Sequence, residues 1–318
     1  MSLELRECTN NAEIIGIVKK VELEEKISAK TNKEMIIGFV DVEVREENRI
    51  SNIRCKAFSF HLTKAGKISG LYKGYKTVKD EYKPGDLVRV TGNIAFNEYY
   101  TEQGDYVGFN EIKAIFFNRV DDLETKHKAV ATVEMVVEGI VPQIENDVPT
   151  GDFEVDAFTV GYNGSLIPLK DLIVGKDLAQ VFQGMYFPGT TGKITFKINN
   201  YAELEKVQTI VEQPGFGSAE RVEDNVVTNY TNNFEIVGGD LPYTDGVNNY
   251  TAEEIEQAHK NRELQLQQLK SDASYIPQTP PTGFGSNGQL TDEKKKEVDE
   301  AVDKLAQSFA SKNEVPDF

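Results

Sequence analysis

Apolar and polar residues alternate with period two in several stretches of the first 120 residues, the mark of strands with one face buried and one face wet. Residues 12–22, AEIIGIVKKVE, read as a strand interrupted by Gly16. A turn at KTNKE (30–34) leads into MIIGFVDVEV (35–44). There Ile36, Val40, Val42 and Val44 share one face, with Gly38 among them, and Ile37, Phe39, Asp41 and Glu43 share the other. After a turn at 45–48, RISNIRCKAF (49–58) places Ile53, Cys55 and Ala57 inward and Arg54, Lys56 and Phe58 outward. Residues 59–81 are less regular, rich in Lys and Gly. A Lys-Pro-Gly-Asp turn at 83–86 precedes LVRVTGNIAF (87–96), with Val88, Val90 and Ile94 opposite Arg89, Thr91 and Asn93. Residues 97–108 read as a hairpin tip and 109–120 as a fifth strand.

Five strands with an irregular or helical piece between the third and fourth is the order of an OB-fold barrel. Residues 129–210 repeat the plan in shorter form. GIV at 16–18 recurs at 139–141, and YKPG at 82–85 is echoed by YFPG at 186–189; the Gly-to-Gly spacing is 69 in the first copy and 50 in the second. DFEVDAFTVGYNGSLIPL (152–169) reads as a hairpin turning at Asn163-Gly164, and GKDLAQVF (175–182) as a short helix. The chain is therefore expected to be mainly β: an OB-fold barrel over 1–128, a second, divergent OB-like barrel over 129–212, and a flexible acidic tail with one or two helices over 213–318. PGFGS (214–218) and TGFGS (282–286) punctuate that last part as linkers. A helix over 251–271 opens with Thr251 and Glu254 in capping-box spacing. Another over 291–311 starts at Thr291, with Asp292 and Glu293 at its positive end and Val298, Val302, Leu305 and Phe309 on one stripe.

Charge sharpens this division. The net charge is −17, yet residues 1–128 hold 21 basic and 21 acidic residues, whereas 129–210 hold 5 and 11 and 211–318 hold 9 and 20. An acidic total argues against a phosphate-bearing partner, but the balanced first part can own a basic face. No apolar run approaches the length of a bilayer span, and the N-terminus lacks the apolar core of a secretion signal. Cys8 and Cys55 have no metal-ligand spacing, and two reduced thiols in a cytoplasmic protein is the simplest reading. No metal-binding, phosphate-loop or nucleophile motif is visible, so neither an enzyme nor a cofactor is expected.

The candidate chemistry lies on the outward faces of the first barrel. Phe39, Arg54, Lys56, Phe58 and Arg89 mix rings with cations, a combination that suits unpaired bases and their phosphates. Packing against the second barrel is the alternative for Phe39, Phe58 and Arg54. Lys64, Lys67, Lys73, Lys76 and Lys79, interleaved with Tyr72 and Tyr75, form a basic run; a solvated helix face is its plainer reading. Tyr99, Tyr100 and Tyr106 sit at the hairpin, where stacking and a dimer contact both stand open.

The order GIV, TNKEMIIGFVDVEV, IRCKAF, YKPGDLVRVTGNI and EIKAIFF over residues 10–120, with the terminal NEVPDF, resembles bacterial and bacteriophage single-stranded DNA-binding proteins. That resemblance implies an OB-fold that coats single strands during replication, recombination or repair. It also implies a C-terminal tip, here Glu314, Val315, Pro316, Asp317 and Phe318, that recruits replication and recombination proteins. A bacteriophage version, acting in the host cytoplasm, is suggested by the second barrel and long tail; homo-oligomers are a further expectation. The family usually stacks bases on Trp, which this chain lacks, so Phe39, Phe58, Tyr99, Tyr100 and Tyr106 would take that role. The tip carries only Glu314 and Asp317 where related tips run several acids together. The competing reading is an acidic protein-interaction scaffold or nucleic-acid-mimicking inhibitor. RNA binding by the same barrel is a third.

Overall fold

The computed structural model describes residues 5–29, 31–46, 49–101, 103–145, 147–212, 220–244 and 246–274. The first barrel comprises β1 (Asn10–Ile27), β2 (Glu34–Glu46), β3 (Arg49–Phe60), α1 (Gly70–Glu81), β4 (Leu87–Tyr100) and β5 (Tyr106–Arg119). Its strands close in the order β1-β2-β3-β5-β4-β1. All neighbours are antiparallel except β3 and β5, whose parallel contact runs through Cys55 and Ile112. With α1 inserted between β3 and β4, this is the OB-fold order. The inward faces are those the alternation predicts: Ile36, Val40, Val42, Val44, Ile53, Cys55, Ala57, Val88, Val90 and Ile94 are all buried. Closure depends on small residues where β1 and β2 meet. A Cβ on Gly38, whose φ is +151°, would lie 1.8 Å from the Glu22 carbonyl oxygen.

The second barrel repeats this order with β6 (Lys128–Glu145), β7 (Val148–Val160), β8 (Leu166–Val174), α2 (Lys176–Met185), β9 (Thr191–Glu212) and β10 (Glu220–Gly239). Again the third and fifth strands meet in parallel, at Leu172 and Phe234. The strand that completes this barrel begins at Glu220, inside the stretch read as linker, so the barrel runs past residue 212. Pro, Gly and Asn around β10 masked its period in the sequence, but the ladder to β9 supplies its hydrogen bonds.

The two barrels superpose through one shared turn. After each inserted helix, a Tyr-x-Pro-Gly segment bends back onto the first strand. The Gly85 N–H donates to the Val18 carbonyl at 2.9 Å, and the Gly189 N–H to the Val137 carbonyl at 2.8 Å. The N–H groups of Val18 and Val137 return bonds to Asp86 and Thr190. Tyr82 and Tyr186 donate their hydroxyls to carbonyls at the end of the fifth strand, Phe117 and Asp240 respectively. Val18 thus corresponds to Val137, and the bulge after each falls at Lys19 and Glu138. The YKPG and YFPG echo marks a true equivalence. The GIV echo does not: Gly139 is the first paired residue after the bulge, four residues out of register with Gly16.

By the same correspondence Ala12 matches Ala131, and these two residues are paired with each other in the antiparallel β1–β6 ladder. Two equivalent residues opposite one another define a local two-fold axis. Each barrel accordingly lays part of its fourth–fifth strand hairpin across the third strand of the other. β9 runs against β3, and β4 and β5 against β8. The Asn110 side chain donates to the Lys170 carbonyl and accepts from the Lys170 N–H.

α3 (Ala252–Ser274) fastens this arrangement. Its N-terminus carries the expected capping box: the Thr251 N–H donates to Glu254 and the Glu254 N–H to the Thr251 hydroxyl. Tyr250 and Ala258 share a buried cluster with Leu5, Cys8, Val136, Phe158, Val160 and Leu166. Further along, Arg262 forms a two-pronged ion pair with Glu98 of β4. The sequence helix 291–311 and the tip Glu314–Phe318 lie outside the described residues.

Candidate nucleic-acid interface

The β2–β3 ribbon positions the aromatic residues. Its register places Met35 opposite Phe60, Ile37 opposite Phe58, Phe39 opposite Lys56 and Asp41 opposite Arg54. With side chains alternating across the sheet, these eight residues share the outer face. Phe58 and Phe60 meet edge to face at 5.1 Å between ring centres. Lys33 lies 5.9 Å from the Phe60 ring centre, and the Arg54 guanidinium 5.2 Å from that of Phe39. The rings are half-buried rather than free. They form an apolar strip with a cation at each end.

The cations of this face are already engaged. Arg54 pairs with Asp41 through two bonds of 2.8 and 3.1 Å; that hydrogen bonding raises its pKa despite partial burial. A like pair, Lys170–Asp156, spans β8 and β7 in the second barrel at 2.7 Å. Its recurrence gives the Arg54 pair an architectural role beside any ligand role. Lys56 sits between both Glu111 oxygens at 2.9 Å. Arg89 lies on the outer face of β4 and pairs with Glu13 at 3.2 Å, away from the β2–β3 strip.

The basic run on α1 is corrected by the structure. Tyr72 and Tyr75 are 4% and 2% exposed and, with Val78, form the helix stripe that plugs the barrel. Neither ring offers a face to a base. The Tyr75 hydroxyl donates to the Ala114 carbonyl, and burial pushes its pKa up to about 12. The Tyr72 hydroxyl donates to Glu25 and Glu34; burial and those carboxylates raise its pKa. Lys76 and Lys79 both close on Glu25, at 2.9 and 2.8 Å. Bonds from Lys79, Lys76 and Tyr72 hold the Glu25 carboxyl at about 2. Lys73 stays exposed on the outer side of the helix. The spacing of 72, 75 and 78 is the helical core period, which outweighs the appearance of rings between lysines.

Two of the three hairpin tyrosines, Tyr100 and Tyr106, are tied to α3. Tyr100 and Tyr106 meet edge to face at 5.5 Å. The Tyr106 hydroxyl donates to Glu98, the partner of Arg262, and burial with that carboxylate raises its pKa to about 12. Lys270 lies 5.9 Å from the Tyr100 ring centre. Tyr99 is 46% exposed. Tyr100 and Tyr106 are therefore part of the link between the β4–β5 hairpin and α3, set apart from the Phe39–Phe60 strip.

The strip opens into a cleft of about 300 Å³ between the barrels. Phe39, Arg54 and Lys56 form one wall, Phe109 lies on β5, and Asn200 and Asn232 face from β9 and β10. Of the residues on this face, Ile37 was read as outward and Phe60 continues the Phe58 period by one step; Lys33 precedes β2. Asn200 and Asn232 had no signal, because only folding brings β9 across β3. Among the described residues no group of three or more His, Cys, Asp or Glu is placed to hold a metal ion, and no helix is long and apolar enough to cross a membrane.

A family model described as YorF matches residues 9–272. No curated protein sequence matches the chain. Among solved structures it is similar to a deletion mutant of the single-stranded DNA binding protein from Thermus aquaticus. That match has 9% identity and a TM-score of 0.48, covering 78% of this chain and 98% of that one. The wild-type form of the same protein matches at 9% identity and a TM-score of 0.45, covering 75% and 95%.

Proposed function

The chain belongs to the YorF family, and from its double OB-fold we propose that it binds single-stranded DNA without sequence preference, on the outer face of the first barrel. One observation carries the reading: the Phe39–Phe58–Phe60 strip, with Ile37 and Met35 beside it, lies half-exposed on the outer sheet face and is edged by Lys33 and Arg54. Rings at this height stack on bases of any identity, each contact worth about 1–3 kcal/mol. The paired cations orient the surface and exchange carboxylate for phosphate at modest cost, since exposed ion pairs are worth only about 0–1 kcal/mol. Affinity then falls as salt rises, through counterion release.

We extend the reading to protection of single strands during replication, recombination or repair, with the tip at Glu314–Phe318 docking partner proteins. Many copies on one strand would raise the effective concentration of so short a peptide. The test is fluorescence anisotropy of the full chain with labelled oligo-dT at several salt concentrations. Binding that weakens with salt and drops at least tenfold in Phe58→Ala supports the proposal. Absence of binding at low salt overturns it in favour of an acidic interaction scaffold, and equal binding of matched RNA removes the DNA preference.

A further inference from the structure

The β2–β3 ribbon does not end at the aromatic strip. Ten residue steps separate Met35 from Arg45, about 33 Å of strand. At that far end the ribbon borders a second, larger hollow of about 780 Å³, lined by Arg45, Glu46 and Arg49, by Lys126 and His127 of the connection between the barrels, and by Lys197 and Glu203 of β9. Four permanent cations converge there in a chain whose net charge is −17.

The walls are fixed by ion pairs between the barrels. Arg49 Nε meets Glu203 at 3.1 Å, its guanidinium lying 4.7 Å from the Tyr201 ring centre, and Lys197 pairs with Glu46. Arg45 reaches Glu43 at 2.7 Å. The Arg45 backbone N–H donates to His127 Nδ1 at 3.0 Å, which leaves the neutral ring with its proton on Nε2, a donor. Lys126 is exposed and has no carboxylate in pairing range among the described residues. The hollow thus gathers an uncommitted ammonium, further guanidinium N–H groups and an imidazole donor at one end of the ribbon that holds the rings at the other.

We propose that this hollow binds the phosphodiester backbone of a single strand whose bases lie on the Phe39–Phe60 strip, so that the second barrel, through Lys197, completes the site. The inference rests on the single-strand reading above and adds to it a direction and a footprint. A strand long enough to leave the aromatic end reaches Arg45, Lys126 and His127; a short one does not.

The experiment uses the full chain, wild type, Lys126→Ala, Arg45→Ala and Phe58→Ala. Each is titrated with oligo-dT of about 4 and about 16 nucleotides, the range of OB-fold site sizes, across a salt series. Lys126 and Arg45 are exposed, so unchanged melting temperatures are expected and serve as the folding check. With the long oligomer, Lys126→Ala and Arg45→Ala each lose affinity several-fold, and the slope of log K against log salt becomes shallower by about 0.7 per phosphate lost. With the short oligomer both match wild type, while Phe58→Ala weakens both lengths. If wild type binds and Phe58→Ala weakens it, but Lys126→Ala and Arg45→Ala leave affinity and slope unchanged at 16 nucleotides, the hollow is overturned and the single-strand reading stands. Equal losses at both lengths overturn the footprint, since they report only general charge. Tighter binding by the variants shows that an acidic segment of this chain takes the hollow instead. Failure of wild type to bind either oligomer sinks the underlying reading, and the hollow with it.

Discussion

Glu134 is a carboxylate held by three partners from distant parts of the chain. It accepts from the Thr9 N–H and the Tyr243 hydroxyl and pairs with Arg6 at 3.2 Å, so it ties the N-terminal segment to the chain that leads into α3. Burial pulls its pKa upward, but the bonds from Thr9, Tyr243 and Arg6 win and hold it at about 2, against an ordinary 4.5. The sign follows from the depressed folded value. The stabilisation is complete above about pH 4.5 and is lost as pH falls toward 2. Urea denaturation at pH 6, 4 and 3 should show Glu134→Gln less stable than wild type by about 2 kcal/mol at pH 6, with the gap closing toward pH 3. A constant gap would mean that the charge itself contributes nothing. A second residue-scale test is Gly38→Ala, where the positive φ and the Glu22 carbonyl leave no room for a methyl. Its cost in the same assay should exceed the usual range of about 0.5–3 kcal/mol for single substitutions.

Among the elements, α3 most changes the picture drawn from the sequence. Its capping box and boundaries were legible, because both depend on neighbours three residues apart. Its role was not, since Arg262 meets Glu98 across 164 positions of chain. The pair is well shielded, with side chains 12% and 18% exposed, and removing one partner of such a pair strands the other. Arg262→Ala should accelerate amide hydrogen exchange in residues 97–109 and in the second half of α3, while the β2–β3 ribbon stays protected. Unchanged exchange at the hairpin would show that α3 merely lies beside it. The β9–β10 hairpin makes the converse point. Its strands, 22 and 20 residues long, hide a plain period-two pattern because different stretches of them face β6, β8 and the other barrel.

For the whole molecule, the local two-fold axis at Ala12 and Ala131 is the governing feature. A fragment of residues 1–128 loses the strand that pairs with Asn10–Ile15. An unpaired strand edge is a template for another copy, and the geometry of this one is self-complementary about Ala12. The fragment should therefore elute and scatter light as a dimer, whereas a monomeric fragment would mean that the β1 edge is satisfied without β6. The pairing also explains why the predicted aromatic face became half of a cleft: whatever builds one barrel's third-strand face is crossed by the other barrel's hairpin.

The sequence by itself determined the first barrel almost strand by strand, its inward residues, the turn shared by both barrels and the cap of α3. These are set by alternation, turn chemistry and capping, all of which act over a few residues. Tertiary structure alone decided that Tyr72 and Tyr75 are a plug, that a strand at 220–239 completes the second barrel, and that Arg45, Arg49, Lys126 and Lys197 meet. Those outcomes rest on pairings between distant segments. The two-fold packing of β1 on β6 brings the four cations together, and no local pattern in the chain encodes that packing; the ladder to β9 places the strand at 220–239, and the first barrel closing over α1 buries the two tyrosines.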